Sequence, residues 1–385
     1  MDFREEDEQV LLRAAVRDLA ADFGHHYYAE KVRLGEKTDE LWKAMADHGF
    51  LSVHLPEAYG GGGAGILELA IVCEETAAQG CPLLLILVCA AICSELISRF
   101  GTEEQKERWL PALAAGEKMA FAITEPDAGS NSHRLSTVAT RDGETYRLNG
   151  TKTYISGVDE AAHLLVVTRT AVGPDGRGRL SLFIVDRDAP GLERAVIPVQ
   201  IASPEKQFTL HFNNVEVPAS RRLGDEGDGL RVVFFGLNPE RITGAALSAG
   251  IGRYALGKAS AYGRDRSVWG VPIGTHQGVA HPLAEAKVQL ELARLMVSKA
   301  AWLHDHDADP AAAGEAANMA KLAAADAGLA CLDTAIQTHG GNGMASEYGL
   351  ADLWGLARLL RIAPVSREMI LNYVAQHSLG LPKSY

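Results

Sequence analysis

Residues Phe121 to Asn131 read FAITEPDAGSN, an apolar run followed at once by Pro126, Asp127, Gly129 and Ser130. Proline fixes its own φ, and glycine lets backbone amides turn inward with no Cβ in the way. Such a loop presents N–H and hydroxyl donors to an electron-rich ring or a phosphate, because consecutive amides form a small anion-binding concavity. By local pattern it is equally a surface turn, with residues 120–123 closing a helix or opening a strand. Other ligand-type residues promise less. His304, Asp305, His306 and Asp307 stand beside Pro310 and read as a solvated turn at a helix break. His25, His26, His276 and His281 have no paired ligand spacing, so no metal site is expected.

A loop of this kind needs a scaffold, and 385 residues suffice for two or three domains with large cores. With 47% hydrophobic and 22% charged residues the chain reads as a soluble globular protein. A net charge of −12 without a Lys/Arg block argues against nucleic acid or an anionic membrane as partner. The longest apolar run, residues 82–93, falls far short of the roughly 20 residues that span a bilayer and predicts a core helix. The acidic opening MDFREEDEQ resembles neither a signal nor a transit peptide, so a cytoplasmic location is expected. Cys73, Cys81, Cys89, Cys93 and Cys331 form no CxxC pair and read as free buried thiols.

Helical spacing of Val10, Leu11, Ala14, Val16 and Leu19, and again of Leu67, Ala70 and Ile71, predicts an α-helical domain over 1–120. Over 121–230 the pattern changes to β-type runs at 145–148, 164–168, 182–185, 195–199 and 208–212, split by turn-rich stretches. A β-barrel or sandwich domain fits them. Helical periodicity then holds through 231–385, with breaks near 270–275, 305–310 and 340–343, which predicts a bundle of four long helices. The expected class is α+β multidomain. This order, with no strand-anchored GxGxxG or Walker A string, argues against a Rossmann fold.

Five segments carry a resemblance: TEPDAGSN at 124–131, NGTKTYISG at 149–157, FNNVEVPASRRLGDEGDGL at 212–230, YGRDRSVWGVPIGTHQ at 262–277 and QTHGGNGMASEYGLADLWGLAR at 337–358. On these the chain resembles the acyl-CoA dehydrogenase family nearly end to end. The resemblance implies FAD between the middle domain and the bundle, an acyl-CoA substrate, an electron-transfer flavoprotein as acceptor, and a homotetramer whose neighbouring subunit completes the flavin site. It assigns flavin contacts to Phe121, Ile123, Thr124 and Ser130, with Ser130 also facing the substrate. Tyr154, Ile155 and Ser156 match the residues stacked against the flavin, although Tyr154 alone reads as a half-buried strand residue. Arg266, Trp269 and Gln277 match residues that reach the facing subunit's FAD, and Gln337, Gly340 and Gly341 match the loop beside its pyrophosphate. Locally, Arg266 is a helix-end cation and GGNG a helix stop. Ser366 joins the cofactor set.

Most members of that family remove the substrate α-proton with a glutamate in a Glu-Gly-Thr string. Counting forward from Ala357 and Arg358 puts Pro364 there, so the position offers neither a carboxylate nor an N–H for the thioester oxygen. Losing one such donor costs about 3 kcal/mol of transition-state stabilisation. Isovaleryl- and long-chain-type members instead carry the base in a Glu-Arg string on the first long bundle helix. Glu240 and Arg241 match it, which makes Glu240 the candidate base and Arg241 a substrate contact. Locally, Asn238 reads as an N-cap, Pro239 as the first helical residue and Glu240 as a first-turn acid kept ionised by the helix dipole. The expected reaction is α,β-desaturation of an acyl-CoA. A flavin monooxygenase on the same scaffold, motivated by Pro364, and a non-catalytic subunit of a mixed tetramer are the alternatives.

Overall fold

The computed structural model describes residues 4–306 and 308–383. Its N-terminal part is helical: α1 (Asp7–Leu34), α2 (Asp39–Asp47), α3 (Ile66–Ala78), α4 (Glu95–Phe100) and α5 (Glu103–Ala114). Capping is legible at α5, where the Thr102 hydroxyl accepts from the Gln105 amide (3.3 Å) and the Gln105 side chain accepts from the Thr102 amide (3.1 Å). The apolar run expected as a core helix is buried, but Ile86–Ser94 winds as a π-helix.

Strands β1 (Met119–Ala122), β2 (Val138–Asp142), β3 (Thr145–Ser156), β4 (His163–Val172), β5 (Gly178–Asp186), β6 (Leu192–Ile197), β7 (Gln207–Pro218) and β8 (Arg222–Leu223) form one eight-stranded sheet. Its order is β6-β7-β3-β2-β4-β5-β8, with β1 branching off β4 in parallel. Alternation sorts the side chains. Leu164 and Val166 join the sheet's own core, whereas Leu165 and Val167 join the core shared with the helices. Tyr146 of β3 meets Phe183 of β5 at 4.7 Å although those strands are not neighbours, so the sheet curls over its own core. Residues 120–123 therefore open a strand.

The C-terminal part holds α6 (Gly229–Asp265), a hairpin of β9 (Ser267–Val268) and β10 (Val271–Pro272), α7 (Gln277–Asp305), α8 (Pro310–His339), α9 (Trp354–Leu359) and α10 (Arg367–Tyr373). Two expectations change. The fourth long helix is broken between α9 and α10, at Pro364, which lacks the N–H a continuing helix needs. Asn238 and Pro239 do not start a helix, because α6 begins at Gly229 and carries Pro239 in its interior. Asn238 Oδ1 instead accepts from Arg241 Nη1 at 2.9 Å.

The turns at either end of α7 make α6 and α8 run side by side in the same direction. Ion pairs then lock this bundle to the N-terminal helices. Glu75, fully buried on α3, pairs with Arg13 of α1 and Arg253 of α6, and Glu74 pairs with Arg253 (2.8 Å) and Arg294 of α7 (2.7 Å). Asp305, expected in a solvated turn, instead accepts from the Ile66 and Leu67 amides at 2.8 and 2.9 Å and so caps α3. Asp307 lies outside the described residues.

At the α6–α8 crossing a Cβ on Gly328 would stand 2.3 Å from the Ser248 carbonyl oxygen. Overpacking of this kind costs about 1–3 kcal/mol. Gly328→Ala is expected to lower the unfolding free energy by that amount, seen by circular dichroism as a lower urea midpoint at unchanged slope.

Candidate active site

The two flavin-motif segments come together as backbone. The Thr153 amide donates to the Thr124 carbonyl at 2.9 Å, which sets the loop after Phe121 and Ile123 against the end of β3. A buried ion pair fixes the junction. Lys152, fully buried, donates to Glu125 Oε1 (2.8 Å) and to the Ile123 carbonyl (2.9 Å). Glu125 also accepts from the Ser136 amide (2.6 Å), the Ser136 hydroxyl (2.7 Å) and the Thr137 amide (3.0 Å). Burial alone would raise the Glu125 carboxyl, but Lys152 and the Ser136 donors outweigh it and hold it at about 2. Sequence reasoning passed over this pair, though a lysine facing inward from an apolar strand was its signal.

Tyr154 departs from the half-buried strand residue expected. Lys152 pairs with Leu210 and Ile155 with Phe208, so two residues of β3 oppose one of β7. That bulge puts Tyr154 at φ 56° and leaves its ring 62% exposed, while Ile155 stays buried. Ser156 Oγ accepts from Gln207 Nε2 at 2.9 Å, and Ser130 is exposed. An exposed ring held above a buried Ile fits the flat face of a flavin.

Glu240 is carried by the bundle. It lies mid-helix on α6, not at a helix end, so the dipole argument does not apply. Its neighbours are Arg241, Lys321 of α8 and Cys93 of the π-helix. Among the described residues no hydrogen bond or ion pair to its carboxylate occurs. Burial therefore dominates and pushes the carboxyl up to about 8, against the pull of Arg241 and Lys321. The side chain keeps an opening to solvent while the surrounding protein is dense. Among the described residues Arg241 is held by Asn238 and its buried Nε has no partner, which leaves a donor for a bound group. Lys321, expected nowhere in the sequence reading, is buried and donates to the Val365 carbonyl at 2.5 Å. Ser366 accepts from the Met369 amide at 3.3 Å as the N-cap of α10, so its oxygen is partly committed.

The remaining residues gather at the opposite end of the bundle. Trp269 and Gly270, at φ 52° and 84°, turn the β9–β10 hairpin, and the Trp269 ring is 89% exposed. Arg266 and Gln277 flank that hairpin, both exposed, and no ion pair to Arg266 occurs among the described residues. Gln337 lies in the last turn of α8, and Gly340 and Gly341 follow with open space where a Cβ would stand. The Tyr262–His339 stack, 4.2 Å between centroids, ties these pieces together. A forked cation beside bare backbone suits a phosphate.

Family models of the acyl-CoA dehydrogenase N-terminal, middle and C-terminal domains match residues 6–117, 120–215 and 227–379. The chain belongs to the acyl-CoA dehydrogenase family. It is 53% identical over 384 residues to the acyl-CoA dehydrogenase FadE12 of Mycobacterium tuberculosis, covering 100% of this chain and 99% of that one. It superposes with a TM-score of 0.93 on glutaryl-coenzyme A dehydrogenase in complex with glutaryl-CoA, at 30% identity over 100% of this chain and 98% of that one. The FAD complex of PigA gives a TM-score of 0.92 at 28% identity, over 99% of this chain and 100% of that one. The protein is accordingly an FAD-dependent oxidoreductase, and among the described residues no helix is long and apolar enough to cross a membrane.

The Glu125–Lys152 pair yields a stability prediction. The folded carboxyl lies near 2, below its ordinary 4.5, so the unfolded chain binds this proton more tightly. The contribution is fully present above about pH 4.5 and lost as pH falls through the folded value near 2. Lys152→Met, which strands a buried carboxylate, is expected to cost about 3–5 kcal/mol at pH 7. Urea unfolding across pH should show this deficit shrinking toward pH 2.

Proposed function

We propose that the protein desaturates an acyl-CoA between its α and β carbons, with Glu240 taking the α-proton. The observation that carries this reading is a half-buried carboxylate with no hydrogen-bond partner among the described residues, whose proton affinity is raised toward working pH. Such a group is a competent base once a thioester acidifies the α-carbon. FAD, when bound, supplies the acceptor for the two electrons that leave with the β-hydrogen. Phe121, Ile123, Thr124, Ser130, Tyr154, Ile155 and Ser156 would hold its ring system, and Arg241 would offer its unpartnered Nε to the substrate. Electrons would then pass to an electron-transfer flavoprotein, as the family resemblance implies.

The assembled state we propose is a homotetramer. Glu240 lies on α6 and Arg266 caps its C-terminus, about 39 Å further along at about 1.5 Å per residue. One chain therefore presents its proposed base and its phosphate residues at distant ends, and a second copy would bring the complementary end. Val288, Leu292, Leu295 and Trp302, each more than half exposed, form an apolar stripe along α7 that such packing would cover.

Two experiments test this reading. Anaerobic addition of straight, branched and cyclic acyl-CoAs should bleach the flavin of the wild-type holoenzyme. Glu240→Gln should keep FAD but lose the bleaching by at least about a hundredfold in rate, within the range general-base loss produces. Bleaching by Glu240→Gln at the wild-type rate would remove Glu240 from the chemistry, and no bleaching of the wild type would favour the monooxygenase or silent-subunit reading. For the assembly, Leu292→Glu with Leu295→Glu should yield smaller particles by light scattering and lower FAD occupancy.

A further inference from the structure

Resting on Glu240 as the base, a second residue is assigned by the packing of α6 against α8. The parallel course of these helices sets Ser248 against Gly328 and Tyr262 against His339. The same register brings Lys321 level with Glu240. The Lys321 ammonium is 2% exposed, and its one hydrogen-bond partner among the described residues is the Val365 carbonyl at 2.5 Å. An ammonium has three donors, so this bond leaves charge and donors to spare inside the protein.

Val365 belongs to the break between α9 and α10, and the flanks of that break are tied to the same helix. Asp326, five residues after Lys321, forms an ion pair with Arg361 Nε at 2.6 Å and accepts from Arg367 Nε at 3.4 Å. The segment from 361 to 367 is thus clamped to α8 at two levels. Asp326 holds its ends, and Lys321 holds its middle.

We propose that Lys321 is a positioning residue for the reaction: it fixes the 364–366 segment through the Val365 carbonyl and supplies positive charge that favours the ionised form of Glu240, the form from which proton abstraction proceeds. The charged and titratable groups that act most strongly on this pair come from several elements. Arg241 adjoins Glu240 on α6, and Cys93 faces it from the π-helix. Asp326 on α8 and Glu368 on α10 act on Lys321, while Tyr373 on α10 acts on Arg241. Burial pulls the Lys321 ammonium down and Glu240 pulls it back up, the mutual stabilisation of opposite charges that act on each other without direct contact. Arg241 cannot do both tasks, because its guanidinium bonds Asn238 within its own helix and reaches no part of the 361–367 segment among the described contacts.

The test separates tether from charge. Lys321→Gln keeps a donor for the Val365 carbonyl but removes the charge, and Lys321→Arg keeps the charge. The pH profile of kcat/KM is measured for both and for the wild type, as FAD-loaded holoenzyme with the acyl-CoA that bleaches best. Losing the cation raises the proton affinity of Glu240, so the acidic limb of Lys321→Gln is expected to move up by at least one pH unit, with a loss of about tenfold at pH 7. The limb of Lys321→Arg should stay with the wild type. A Lys321→Gln profile that superimposes on the wild type, however reduced in height, overturns the proposal and leaves Lys321 a purely structural residue. Should Lys321→Gln fail to hold FAD, the arginine variant still decides: an upward displacement despite the retained charge overturns it. Failure of the underlying reading shows separately, as undiminished turnover by Glu240→Gln.

Discussion

The close parallel approach of α6 and α8 is the constraint on which the site depends. Glycine at 328 lets the Ser248 carbonyl come within a distance that no side chain would tolerate. With the separation set there, the register along both helices follows. Toward their N-termini it pairs Glu240 with Lys321, and toward their C-termini it stacks Tyr262 on His339 beside the Gly340 and Gly341 backbone. One packing contact thus positions both the proposed base and, at the far end, the residues suited to phosphate.

Glu125, buried, and Glu240, half-buried, both meet desolvation and resolve it in opposite ways. Glu125 is surrounded by donors from Lys152, Ser136 and Thr137, and its charge is fully compensated. It is locked, and its work is to join two loops. Glu240 has cations near it but no bond to its oxygens among the described residues, so burial wins and its proton affinity rises to about 8. A fully satisfied carboxylate cannot exchange protons usefully near neutral pH. An under-satisfied one can, and that difference separates a structural acid from a candidate catalytic one more clearly than burial does.

Much of the architecture was legible from periodicity, because strands and helices here follow the periods of two and 3.6 that burial imposes. The β runs at 164–168, 182–185 and 208–212 fall inside β4, β5 and β7, and the breaks near 270–275, 305–310 and 340–343 separate real elements. What failed was local capping logic. Asn238 and Pro239 look like a helix start, yet the apolar residues from Leu230 onward had already committed the backbone, and tertiary packing carries the proline inside α6. Residues recognised by motif, such as Tyr154 and Arg266, could be named but not oriented, since a bulge and a two-residue turn decide where they point. Lys321 was illegible for another reason: a buried lysine on a helix looks like any surface lysine until its acceptor, distant in sequence, is known.

Tyr154 and Trp269 make the last connection. Each is an aromatic residue in left-handed backbone, a conformation that costs roughly 1–2 kcal/mol for a residue with a Cβ. Asn or Gly would relieve the strain at both positions. Their rings are also mostly exposed, so neither recovers the cost by burial within its own chain. The rest of the fold holds both conformations against that cost, which is tolerated where a position has work to do. On the proposed reading each aromatic finds that work in a different place, Tyr154 against the ring system that its own chain holds, and Trp269 in the site of a neighbouring copy. Cofactor loading and assembly then draw on one store of strain, and they should stabilise each other.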